Sequence, residues 1–84
     1  MNQQQIESLK EALKYSPDNV PLRKMLIAAY TNLAQYENAL AEMKEALRYA
    51  ATDNDLKLQM GWCYYHLKNY SAAHVIAEEL QEKA

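Results

Sequence analysis

The chain has few residues that break helices and few that cross-link them: one glycine (Gly61), two prolines (Pro17 and Pro21), one cysteine (Cys63) and no phenylalanine in 84 residues. So few breakers leave little to interrupt a helix, and the composition reads all-α. With one cysteine no internal disulfide can form, which favours a reducing compartment. No apolar run approaches the roughly 20 residues that cross a bilayer. The start, Met1-Asn2-Gln3-Gln4-Gln5, has neither the basic residues nor the apolar stretch of a secretory signal. A cytoplasmic protein without membrane contact is expected. Nine basic and eleven acidic residues give a net charge of -2 and are spread along the sequence. The basic stripe that a nucleic-acid partner would require is missing.

What is present is helical periodicity. Ile6, Leu9, Ala12 and Leu13 predict a first helix near 3–15, ended by Ser16-Pro17-Asp18-Asn19. Asn19 offers a capping oxygen and Pro21 suits a first turn, so Leu22, Leu26, Ala29, Tyr30 and Leu33 predict a second helix near 20–34. A turn at Gln35-Tyr36 leads to a third near 37–50, with Ala39, Leu40, Met43, Ala46 and Leu47 on its stripe. Thr52-Asp53-Asn54 caps a fourth near 54–68, carrying Leu56, Met60, Cys63, Tyr64 and Leu67. Asn69-Tyr70-Ser71 opens a fifth near 71–83, whose Ala73, Ile76, Ala77 and Leu80 should face inward. Turns this short make antiparallel neighbours the economical packing.

The halves of the chain are related by a 34-residue step: Tyr30, Leu33, Tyr36 and Ala39 return as Tyr64, Leu67, Tyr70 and Ala73. The same step carries Lys44-Glu45-Ala46-Leu47 back onto Lys10-Glu11-Ala12-Leu13. This pattern resembles the tetratricopeptide repeat family. The likeness implies a right-handed α-solenoid of antiparallel helix hairpins with five helices. A single domain over 1–84 would hold the second helix of a partial repeat (3–17) and two repeats (20–53 and 54–84). Arg23 and Lys57 stand where the family has an early Trp, Ile27 where it has a small residue, and Ala51 where it has a closing Pro. The likeness also implies a protein or peptide partner, no cofactor and no catalysis.

At roughly 100° per residue, the fourth helix carries two apolar stripes. Leu56, Met60, Cys63, Tyr64 and Leu67 form the packing stripe, and Leu58, Trp62 and Tyr65 lie on the opposite side. By resemblance the second stripe lines a concave peptide groove, with Gln59 and His66 beside it and Lys24, Ala28 and Thr31 one repeat earlier. Two other readings are open: the aromatics fold down to complete a small core, or a second copy of the chain covers them. Val75, Ile76 and Leu80 on the fifth helix are the candidates for such self-association, as a homodimer or as an adaptor arm continuing into a larger protein. Some members of the family clamp a chaperone tail's carboxylates with Lys, Asn and Arg. Here only Lys24 fits, because Ala28, Leu58, Gln59 and Trp62 replace the polar partners, so an apolar ligand is expected.

Catalysis would have to come from Cys63, His66 and His74. Cys63 falls on the packing stripe, where burial raises a thiol's pKa, and no oxyanion arrangement accompanies it. A zinc site would need a further ligand. Neither an enzyme nor a metal protein is expected. The charged runs Lys10-Glu11, Glu42 to Glu45 and Glu78-Glu79 read as solvated faces, with weak pairs from Glu7 to Lys10 and Glu45 to Arg48.

Overall fold

A computed structural model describes residues 2–82. The described residues form five helices: α1 (Gln3–Tyr15), α2 (Val20–Asn32), α3 (Tyr36–Leu47), α4 (Asn54–His66) and α5 (Tyr70–Glu82). The expected end of the last helix at 83, and the domain limits at 1 and 84, lie outside the described residues. Each helix packs on the next in the chain, α1 on α2, α2 on α3, α3 on α4 and α4 on α5, which makes a solenoid of antiparallel hairpins.

Side-chain caps start four of the five helices. The side chain of Asn2 accepts from the Gln5 amide while Gln5 reaches back to the Asn2 amide, both at 2.9 Å, in a capping box. Asn19 accepts from the amide of Leu22 at 3.0 Å, Asp53 from Leu56 at 3.1 Å and Asn69 from Ala72 at 3.3 Å. Helix α3 has no such cap: Gln35 stands where Asn69 stands one repeat later.

Helices α2 and α4 stop two residues before their expected ends, at 32 and 66, because each closes in the same turn. Ala34 (φ 57°) and Lys68 (φ 64°) adopt the left-handed conformation. The next amides, of Gln35 and Asn69, return to the carbonyls of Tyr30 and Tyr64 at 2.9 and 2.8 Å. These are Schellman turns in which an alanine and a lysine occupy the position usually given to glycine.

The core is made by Ile6 and Leu13 of α1, by Leu26, Ile27, Ala29 and Tyr30 of α2, and by Ala39, Leu40, Met43 and Ala46 of α3. Leu56 and Cys63 of α4 complete it. Helix α5 contributes no buried residue. Ala77, expected to face inward, is exposed, and Ile76, Ala73 and Leu80 are half-buried. Ala12, expected on the stripe of α1, is exposed as well. The cause is the same at both ends: α1 packs only on α2 and α5 only on α4, so one side of each is left without a neighbour among the described residues.

Arg23 is buried beneath the first hairpin, at a position where the resemblance leads one to look for Trp. Its guanidinium donates to Glu42 on α3 at 2.8 Å and to the carbonyl of Pro17 at 2.9 Å, tying the α1–α2 turn to α2 and α3. In the second hairpin Lys57 and Glu79 join α4 to α5 at 2.9 Å.

Candidate functional site

Helix α4 needs one face for the core, and Leu56 and Cys63 supply it. That geometry turns Leu58, Trp62 and Tyr65 outward, where they are 51%, 60% and 55% exposed. Burying such side chains is worth about 1.5–3 kcal/mol each, so three together on one helix face are an unsatisfied apolar surface.

Two depressions flank Trp62. The more apolar is a cleft of about 490 Å³ between α4 and α5, lined by Leu58, Gly61, Trp62 and Tyr65 from α4 and by Ala73, Ile76, Ala77 and Leu80 from α5. At Gly61 the two walls come close: a Cβ there would stand 3.4 Å from Ile76 Cγ2. On the other side of Trp62, about 330 Å³ is enclosed by Thr31, Asn32, Tyr36, Gln59, Cys63 and His66.

The eight residues assigned to a single groove thus divide. Leu58, Trp62 and Tyr65 face the α4–α5 cleft, while Thr31, Gln59, Trp62 and His66 surround the second depression. Lys24 and Ala28 line neither of the two. The residues assigned to self-association divide too: Leu80 lines the same cleft as Trp62, Val75 lies on the other side of the hairpin with Leu47, Met60 and Tyr64, and Ile76 borders both.

Aromatic contacts hold the surface in shape. The ring of His66 stacks on Tyr36 with centroids 4.6 Å apart and planes 3° from parallel. Trp62 meets Tyr65 edge-on at 6.1 Å, and Tyr65 meets Tyr70 edge-on at 5.5 Å. Such pairs restrict side-chain freedom before any partner arrives, which lowers the entropy lost on binding. Tyr36 and Tyr70 recur at the repeat step and stand outside the expected groove residues. Their position directly after each Schellman turn is the signal that places them beside the end of α4.

Lys24 is engaged elsewhere: its ammonium lies 2.7 Å from the carboxylate of Asp53, the residue capping α4. The hydrogen bond from Lys24 lowers the pKa of Asp53; burial opposes it in part, and the Leu56 amide adds to the lowering. A depressed folded-state pKa stabilises the fold above the ordinary carboxylate value, and that contribution disappears as pH falls through the folded value. Asp53→Asn keeps a good capping residue and removes the charge. The variant is therefore expected to lose less of its melting temperature than the parent between about pH 5 and pH 2, by an amount corresponding to under about 1 kcal/mol for a pair this accessible. Parallel acid titrations of both proteins check this.

The three candidates for chemistry are dispersed in their roles. Cys63 is buried and desolvation raises its pKa, the opposite of what activates a nucleophile. His66 is stacked on Tyr36, and His74 pairs with Glu78 at 2.8 Å along α5. Among the described residues no group of three or more His, Cys, Asp or Glu is arranged to hold a metal ion, and no helix is long and apolar enough to cross a membrane.

Comparison with known proteins gives a family-model match, described as tetratricopeptide repeat, over residues 33–84. A protein SGT1 homolog of Bos taurus is 34% identical over 68 residues, covering 81% of this chain and 20% of that protein. The protein SGT1 homolog of Homo sapiens is 32% identical over 68 residues, covering 81% of this chain and 19% of that protein. The chain therefore spans about a fifth of the length of these curated relatives.

Proposed function

This chain belongs to the tetratricopeptide repeat family, and we propose that it captures a peptide or helix of another protein on the apolar surface centred on Leu58, Trp62 and Tyr65. Repeats of this family generally mediate protein–protein interaction. The observation that carries the reading is the exposure of those three side chains on one face of α4. Their counterparts one repeat earlier, Lys24, Ala28 and Thr31, are small or polar, so the fold does not require the patch. Gln59, Thr31 and His66 form its polar margin. We read 20–53 and 54–84 as the two repeats and 3–17 as the second helix of a partial one. Similarity to one stretch of longer proteins fits a module that works as an adaptor arm.

The competing reading is self-association through Ile76 and Leu80, which line the cleft beside Trp62. Trp62 is the only tryptophan, so its fluorescence reports on this surface alone. Sedimentation over a range of concentrations, combined with acrylamide quenching, should give a monomer whose emission is readily quenched. A tight dimer that shields Trp62 would replace capture of a partner with oligomerisation.

A further inference from the structure

Building on the docking surface proposed above, we infer that the α4–α5 cleft receives an amphipathic α-helix from a partner polypeptide, which lies parallel to α4. The internal repeat supplies the template. Stepping back 34 residues carries Gly61, Ala73, Ala77 and Leu80 of the cleft onto Ile27, Ala39, Met43 and Ala46. Those four are buried, in the core cluster that Leu56 and Cys63 of α4 complete. The cleft is the next place in the same series of packed helices. The Lys24–Asp53 ion pair joins the start of α2 to the start of α4, so alternate helices run parallel, and a helix in the cleft would follow that direction.

The lining specifies the occupant. Leu56, Met60, Cys63 and Leu67 are the residues that α4 presents to its neighbours, so the incoming helix should carry apolar side chains at i, i+4, i+7 and i+11. Two exchanges alter the chemistry. Leu58 replaces Lys24, which holds the carboxylate before α4, and Ile76 replaces Glu42; the occupant therefore carries an apolar residue where α4 has Asp53. Gly61 in place of Ile27 removes a side chain from the α4 wall, against which Ile76 packs. The Lys57–Glu79 pair sets the start of α4 beside the last turns of α5. The amino terminus of a helix parallel to α4, with its positive dipole end and any lysine in its first turn, meets the negative dipole end of α5.

A helix suits the cleft better than an extended strand. Both walls are helices whose backbone groups are already paired, so a strand's amides would be desolvated against apolar side chains without partners. A second copy of the chain also fits poorly. A two-fold contact would set one concave cleft against another, and a head-to-tail contact would bring in the free face of α1, which carries Gln4, Glu7, Ser8 and Glu11 with Ala12 and Tyr15 and so offers Gln4, Ser8, Glu11 and Tyr15 at i, i+4, i+7 and i+11, one large apolar side chain in four. Neither supplies an apolar ridge.

The test uses the full chain and two synthetic peptides of about 16 residues, long enough for about four helical turns. One carries leucines at i, i+4, i+7 and i+11 with lysine in its first turn; the other has the same composition with the spacing scrambled. The periodic peptide should shift Trp62 emission to the blue, gain helical circular dichroism on mixing and bind at least about tenfold more tightly than the scrambled one, a difference of about 1.4 kcal/mol. Ala77→Glu, on the exposed wall of α5, should weaken it by a similar factor without moving the melting temperature. Equal binding of both peptides, or indifference to Ala77→Glu, overturns the inference. If a proline-interrupted, extended peptide binds better and Trp62→Ala abolishes that binding, the helical occupant is wrong and the docking surface stands. If Trp62→Ala leaves every peptide's affinity unchanged, both readings fall.

Discussion

Trp62→Ala is expected to weaken partner capture about 30-fold or more, corresponding to about 2 kcal/mol, while leaving the far-UV helical signal unchanged. The separation of the two effects follows from where the ring sits. Trp62 is outside the core cluster and majority-exposed, so its truncation forfeits its edge-on contact with Tyr65 and its tilted contact with His66 and leaves the core cluster intact. Losing exposed ring contacts of that kind costs about 1–2 kcal/mol at most, too little to unfold the helices. In a complex the same ring stands between two depressions and would be buried on both sides, which is the setting in which an aromatic anchor dominates affinity. Binding measured by calorimetry, with circular dichroism on the same samples, checks both halves. Melting on substitution would make Trp62 part of the core, and unchanged affinity would move the docking site elsewhere.

The second large effect concerns the fold. Arg23→Leu is expected to cost about 3–5 kcal/mol, because it leaves the half-buried carboxylate of Glu42 without its cation and the Pro17 carbonyl without its donor. A domain of this length has about 4–13 kcal/mol in total, at the usual stability per residue. The melting temperature should therefore drop by about 15–30 °C. Replacing Glu42 as well, in Arg23→Leu/Glu42→Leu, should recover most of the loss, since the buried charge then goes with its partner and two apolar side chains pack between α2 and α3. Arg23 Nε has no hydrogen-bond partner among the described residues, a further reason for the apolar pair to do well. Thermal melts of the parent, single and double variants decide it. A single variant that melts within a few degrees of the parent would show that the pair positions the turn without contributing to stability.

The periodic stripes made the five helices and their antiparallel order legible, because a helix that buries Leu26, Ala29 and Tyr30 must repeat at its own pitch. The ends of α2 and α4 were not legible. A left-handed residue is normally signalled by glycine, and Ala34 and Lys68 give no such cue although the Schellman turns are well formed. On α4, spacing was enough to set Leu58, Trp62 and Tyr65 opposite the packing stripe. It could not say which neighbour they would share a depression with, since that depends on the angle at which α5 returns. For the same reason Ala77 was expected to face inward: a helical wheel identifies a face and cannot tell whether anything covers it. Lys24 read as a groove cation because its partner Asp53 is remote in sequence and reaches it only once α4 has packed.

The emission of Trp62 in the complex with a captured partner tests the central claim most directly. If the surface centred on Leu58, Trp62 and Tyr65 is the docking site, binding moves the emission to shorter wavelength and protects it from acrylamide, in proportion to the bound fraction. An emission spectrum and quenching constant that stay at the free-protein values in a saturated complex would contradict it.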